Sequence, residues 1–462
     1  MLIICVRYIQ NNSFILDNLA WYLANFKENQ MKRQLLFLIT ILITASCEWD
    51  SISSNNEEWV EVTYVTPIYE TASSLADQVV IEEPKTQTSL GKIITYQNYV
   101  FVNEPMEGIH IVDHSDPVNP VNISFLSIPG NLDMSIVDDH LYVDMFSSLA
   151  VFDISDIFSP NFIESYTVEN VFDYDAFWNF PVEIWEEPNA YIEYRGYPDK
   201  EKGIVVDWQT ETIREKRSMY DYRYYDEVAT PLASTEDGNI GPQQTSTAGS
   251  MTRFLPIGSY LYTINFSELV LFQIGSDYRP SPWIKKNTDT QAETLFRLND
   301  LLFVGSVNGM LVYDVSDAPD PAYINRIEHM RSCDPVVADT NYAYVTLRGG
   351  TNCFTDINEL QIIDIQDPQN LSVVSRKDMY NPHGLGIYNN HLIICDGSSG
   401  VKIVDVSVPT KPSIVNSAPI KFAYDVIIDY PSALIVGDTD LYQYDITNLP
   451  ELQLISQTPI LD

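Results

Sequence analysis

One phrase recurs along this chain and limits what it can fold into. It reads GIHIVDHSDPVNP at 108–120, LAVFDISDIFSP at 149–160 and MLVYDVSDAPDP at 310–321. It returns as LQIIDIQDPQNL at 360–371, VKIVDVSVPTKP at 401–412 and LYQYDITNLPEL at 441–452. Weaker copies are GIVVDWQTET at 203–212 and LVLFQIGSDYRP at 269–280. Anchored on the shared Asp, the copies fall at 113, 153, 207, 273 (a Gln), 314, 364, 405 and 445, with intervals of 40, 54, 66, 41, 50, 41 and 40 residues. A base period near 40 with insertions in some units is the spacing of four-stranded propeller blades.

Each unit has room for four short strands and no helix. In the last one, DVII at 425–428, LIV at 434–436, LYQYD at 441–445 and LQLIS at 452–456 are apolar or alternating runs. DYP at 429–431, GD at 437–438 and NLP at 448–450 separate them as turns. The expectation is an all-β chain folded as a single β-propeller of four-stranded blades. Eight anchors favour eight blades; seven is the alternative, if 171–250 form one blade plus an excursion. Residues 60–65 or 79–82 add a strand that closes the ring or caps an edge. The stretch 214–250, rich in Tyr, acid, Ser, Thr and Gln, reads as an exposed loop insertion.

The turn after each third strand gives its Asp a mechanical role. A carboxylate at a strand end accepts N–H bonds from the following turn, and the prolines suit the turn and the start of an outer strand. Asp113, Asp153, Asp314, Asp364, Asp405 and Asp445 are therefore assigned to structure. One Asp per 40 residues is too sparse for a calcium cage.

The composition excludes several function classes. Against 26 Lys+Arg stand 64 Asp+Glu, for a formal net charge of -38 over 462 residues. Nucleic acid is not an expected partner, because phosphate binding needs a basic face. Electrostatic docking on an anionic membrane is disfavoured for the same reason. An apolar fraction of 45% is enough for a large core, so the acidity does not signal disorder.

The N-terminus carries a different signal. Met31, Lys32 and Arg33 precede the apolar run 35–43, and Thr44, Ala45 and Ser46 precede Cys47. The run is about half of the ~20 residues that a spanning helix needs. The segment resembles a bacterial lipoprotein signal peptide with Cys47 as the lipidated residue. Residues 1–46 are then an upstream stretch and signal peptide, with Met31 as the start. Residues 47–84 are a tether and N-terminal strand, and 85–462 the propeller. The resemblance implies export to the outer membrane or cell surface of a Gram-negative bacterium, with the membrane as partner through Cys47.

The pattern G-[LI]-x-[IV]-V-D-[VI]-S-D-P resembles the LVIVD-repeat family of bacterial cell-surface β-propellers. Further stretches are similar to its Bacteroidetes lipoprotein branch. They are GKIITYQNYVFVNEPMEGIHIVD (91–113), SIPGNLDMSI (127–136), GSMTRF (249–254), SVNGMLVYDVSD (306–317), SCDPVV (332–337), AYVTLRGG (343–350), NPHGLGI (381–387) and CDGSSGVKIVD (395–405). The resemblance implies a propeller and a surface location; it implies no catalytic activity. The third and fourth units depart from the pattern.

Four groups of residues are candidates for function. Aligning the units on their second strands places Lys92, Asp133, Arg253, Thr294 with the adjoining Glu293, Asp334, His383 and Asp425 at the start of each innermost strand, near the mouth of the central channel. Within that ring Asp334, His383 and Asp425 come from successive units and suit a divalent metal. Cys333 and Cys353 share a unit, and export favours a disulfide between them; a zinc site from these two with His329 and His383 is the alternative. Cys395, inside the run LIIC, reads as a buried thiol. Tyr220, Tyr222, Tyr224 and Tyr225 cluster around Arg223, and Trp178, Trp185 and Trp208 share one unit; both sets suit sugar or protein binding, or packing between blades. His110 and His114, four apart on a strand, read as edge and turn residues.

No G-x-S-x-G, H-E-x-x-H or P-loop occurs, so no catalytic residue, cofactor or resident metal is assigned. The reading is a lipid-anchored surface propeller that binds or scaffolds a protein or glycan. The alternative is an envelope enzyme, a metal-assisted hydrolase or lyase with its site at the channel mouth.

Overall fold

The computed structural model describes residues 57–86, 89, 91–167, 191–196, 199–218, 245–265, 267–329, 335–349 and 357–460. Cys47, Tyr220, Tyr222, Tyr224, Tyr225, Cys333, Asp334, Cys353, Trp178 and Trp185 lie outside the described residues. The chain divides into two compact units.

The smaller unit holds part of a three-stranded sheet ordered Tyr191–Tyr194, Glu57–Glu70, Ile204–Ser218. Its first two strands run parallel, with Val62 opposite Tyr191 and Val65 opposite Tyr194. The ring of Trp59 is 54% exposed and lies 5.9 Å from the guanidinium carbon of Arg214 and 5.7 Å from Lys216 Nζ.

The larger unit is built from seven four-strand antiparallel meanders. Their first strands are Ile93–Tyr96, Met134–Val137, Phe254–Ile257, Ala292–Leu298, Val336–Ala338, Leu385–Tyr388 and Ala423–Asp429. Each first strand touches the next, and the last touches the first, so seven blades close a ring. Among the described residues there are eight sheets, and the eighth is the three-stranded one. The repeat unit anchored at Asp207 is therefore no blade among the described residues. Its run 204–218 forms one long strand instead of a meander.

Middle strands are buried on both faces, as in His140–Met145 and Tyr260–Asn265, which explains their unbroken apolar runs. The outer strands are only partly buried. Seven apolar clusters cement the seven blade interfaces. One of them joins the last blade to the first through Ile427, Leu434, Val436, Ile93, Val100 and Val102. Every blade is one continuous run of chain, so closure rests on side-chain packing. Strand Val80–Glu82 caps the outer edge of the first blade, pairing Ile81 with Leu126.

The six anchor carboxylates do the turn work expected of them. Asp113, Asp153, Asp314, Asp405 and Asp445 each accept the N–H two residues on at 2.7–2.9 Å, and Asp364 accepts that of Gln366 at 3.0 Å. Hydrogen bonds from the Ser or Thr two residues on pull the carboxyls of those first five below the ordinary range.

A second repeated device was invisible in the sequence. In all seven blades the register shifts between the third and fourth strands. The extra residues on the outer strands are Ile123, Ile163, Trp283, Ile324, Val374, Val415 and Ile455, apolar in every case. A bulge bends and twists the strand that carries it.

Candidate functional site

Because each blade begins at the ring's centre, the residue opening each first strand points to a common axis. There a cavity of about 350 Å³ is lined by Lys92, Leu132, Arg253, Glu293, Thr294, Arg348, His383 and Tyr424, with Met106, Met251 and Pro335 among its apolar walls. All seven blades contribute.

The cavity has a floor. Residues 245–250, expected in an exposed loop, run along the inner edges of the first strands. Thr245 bridges Val137, and Ser246 N donates to Ile136 O at 2.9 Å. Thr247 and Ala248 pair with Thr95 and Ile94, and Gly249 N donates to Ile93 O. Ser250 Oγ then accepts the Leu385 N–H at 2.8 Å, across the channel. The segment occupies the bore, satisfies edge groups that would otherwise stand open, and turns the channel into a cup.

Five of the expected ring residues line this cup: Lys92, Arg253, Glu293, Thr294 and His383. Asp133 and Asp425 do not; both are buried behind its wall. Asp133 joins three blades: its Oδ2 accepts Lys92 Nζ and Arg253 N, both at 2.5 Å, and its Oδ1 accepts Met134 N at 2.7 Å. Burial lowers the Lys92 ammonium from its ordinary value, with Asp133 opposing. Asp144 braces Asp133 from below, accepting Leu132 N, Asp133 N and Asn131 Nδ2 at 2.7–3.0 Å. Burial pushes its carboxyl up to about 6, against the pull of Arg253 and those N–H donors.

Asp425 sits in a slot made by two glycines. A Cβ on Gly249 would lie 2.1 Å from Asp425 Oδ2, and one on Gly384 2.0 Å from Oδ1. Its Oδ1 accepts Val426 N at 2.9 Å, while Oδ2 has no partner. Burial pushes this carboxyl up to about 7. Burial, with Asp425 and Asp396 nearby, also holds the Cys395 thiol well above its usual value, so the buried Cys395 is no thiolate.

His383 and Arg348 form the opposite wall. Arg348 Nη1 lies 3.1 Å from His383 Nδ1. A guanidinium only donates, so the imidazole accepts and is neutral. Burial first, and the Arg348 charge second, push its pKa down to about 3. The rings of Phe422 and Tyr424 pack on it at 5.1 and 5.4 Å. A histidine committed to a cation in this way is a poor metal ligand. Among the described residues no group of three His, Cys, Asp or Glu is placed to hold a metal ion.

One further correction concerns a histidine. His110 is fully buried in a third strand and bonded to the buried Glu104 at 3.0 Å, so it is no edge residue. His114, in its turn, reaches Gln443 of the last blade at 2.9 Å. Trp208 is buried, so it is a packing residue rather than a displayed one. Arg348, Tyr424 and Asp144 were missed by the sequence reading. The available signal was a charge directly closing a buried second strand, as in YAYVTLR at 342–348 and HLYVD at 140–144. Second strands run back toward the mouth.

The LVIVD repeat family matches residues 91–124, 132–168 and 383–418, which hold the first, second and sixth blades. These three stretches are LVIVD repeats. The chain is also similar to solved structures, at low identity. A Lactobacillus plantarum protein is 10% identical, with a TM-score of 0.48 over 83% of this chain and 96% of its own. The periplasmic gluconolactonase PpgL of Pseudomonas aeruginosa is 10% identical, with a TM-score of 0.47 over 80% and 96%. BamB of Moraxella catarrhalis is 9% identical, with a TM-score of 0.42 over 76% and 81%. No curated protein matches the sequence.

Proposed function

We propose that this protein is an exported binding module, lipid-anchored at Cys47 to the outer membrane or cell surface, whose ligand site is the cup at the channel mouth. The observation that carries the reading is the cup itself. Seven blades each aim side chains into one floored cavity of about 350 Å³, within the range of small-molecule sites. Lys92 and Arg348 are held by the buried Asp133 and His383, so this part of the site is pre-formed. The segment at 31–47, with its basic start, short apolar run and Cys, supports the anchor.

A metal-assisted enzyme has less support. Of its trio, Asp334 lies outside the described residues, Asp425 is walled off, and His383 is committed to Arg348.

Two measurements test the reading. Cys47→Ser is expected to move the protein from the membrane fraction to the soluble one in a Gram-negative host; an unchanged distribution removes the anchor. A photo-crosslinking amino acid at Gln291, on the cavity lining, is expected to yield a discrete adduct in intact cells. No adduct above that of an outer-strand position such as Ile414 removes the cup as the ligand site.

A further inference from the structure

Resting on the cup as a ligand site, we infer its ligand class: a small organic anion, a carboxylate or phosphate on an apolar body, held chiefly by Arg348. The chain is strongly acidic, with 26 cationic residues against 64 acidic ones. Three of those cations, Lys92, Arg253 and Arg348, nonetheless line one cavity beside a single carboxylate, Glu293.

The three cations are not equivalent. Lys92 is neutralised by Asp133 at 2.5 Å. Arg253 donates from Nη2 to Ile264 O at 3.2 Å and feels the buried Asp144. Among the described residues, Arg348 has no carboxylate in ion-pair range. It is anchored instead by a neutral imidazole, which orients the guanidinium without cancelling its charge. A guanidinium carries five N–H donors in a planar fork that matches a carboxylate or phosphate two bonds at a time. The contact with His383 leaves most of that fork for a ligand.

The remaining walls set the body of the ligand. Met106, Leu132, Met251, Pro335 and the Tyr424 ring give the cup apolar surface between its charged groups. An anion that enters leaves water for a partly desolvated site, where one fixed opposite charge counts for more than in bulk. A cation meets the unneutralised Arg348 and is disfavoured. A neutral molecule of the same shape keeps only the apolar contacts.

The test uses four probes of one size on the folded protein. Benzoate and phenyl phosphate carry the anion, benzamide is neutral, and benzylamine is cationic. Calorimetric titration is expected to rank both anions at least about tenfold above benzamide, a difference of about 1.4 kcal/mol, with benzylamine weakest. Arg348→Gln is expected to erase the preference while leaving the unfolding midpoint unchanged. Arg348→Lys, which keeps the charge but loses the fork, is expected to retain part of it. Comparing benzoate with phenyl phosphate separates a carboxylate ligand from a phosphate one. Equal binding of benzamide and benzoate overturns the anion inference while leaving the cup as a site. So does an undiminished preference in Arg348→Gln. If no probe binds, the inference falls, and the cup then stands or falls on the Gln291 adduct alone.

Discussion

Asp425 and the glycines against it show how little freedom the channel wall has. The buried carboxylate fills the space where Gly249 and Gly384 would carry a Cβ, and neither side chain nor floor segment has room to move. Gly384→Ala is expected to cost about 1–3 kcal/mol in denaturant unfolding, as overpacking does. An unchanged midpoint would show that the wall gives way. The same carboxylate makes stability depend on pH in an unusual direction. Its folded value lies near 7 against an ordinary 3.8, because burial disfavours the charge. The folded state therefore holds a proton that the unfolded chain has released. This contribution is complete below 3.8 and is lost as pH rises through about 7. Asp144, pushed up to about 6, acts in the same sense. Asp425→Asn removes one of the two titrating groups. Its urea stability is expected to fall less between pH values bracketing about 7 than that of the wild type. Parallel curves would refute the assignment.

At the scale of the strand, the recurrent device is the bulge near the start of each outer strand. In the fifth blade Ile362 pairs with Ser375 and Ile363 with Val373, leaving Val374 extra. Side chains alternate with a period of two, so removing one residue turns the rest of the strand over. Deleting Val374 is expected to cost about 2–4 kcal/mol and to speed amide exchange along Ser372–Asp378. Val374→Ala keeps the count and is expected to cost only about 1 kcal/mol. Equal losses in the two variants would mean that the side chain matters and the register does not. The bulge was illegible in the sequence because an extra apolar residue in a half-buried strand looks like imperfect alternation. The paired Asp turn was legible because its residue types have a local reason to be there.

At the scale of the molecule, ring closure is decided by packing between the first blade and the last. Leu434 is fully buried in that interface, among Val100, Val102, Ile427 and Val436. Leu434→Ala is expected to cost about 2–5 kcal/mol, as for other buried leucines. A loss below 1 kcal/mol, on the order of an exposed-site change, would show that the seam is loosely packed. The ring also explains why a strongly acidic protein presents a cationic cup. Its acids are spread over outward-facing turns such as those at Asp113 and Asp445, whereas the few inward charges converge on one axis.

The repeat period, the four-strand content of each blade, the Asp turns and half of the mouth residues could all be read from the chain alone. Each rests on short-range chemistry: alternation, turn propensity, and the spacing of equivalent positions. Three features needed the folded ring. The blade count was one, because a strand such as Ile204–Ser218 looks like repeat sequence yet pairs elsewhere. The floor was another, since residues 245–250 look like loop until the open inner edges of two blades accept them. The third was the division of the charged ring into buried braces, Asp133 and Asp425, and a cationic lining with Arg348. Sequence position brings a residue to the mouth; only its neighbours across the ring decide whether its charge is spent on them or left for a ligand.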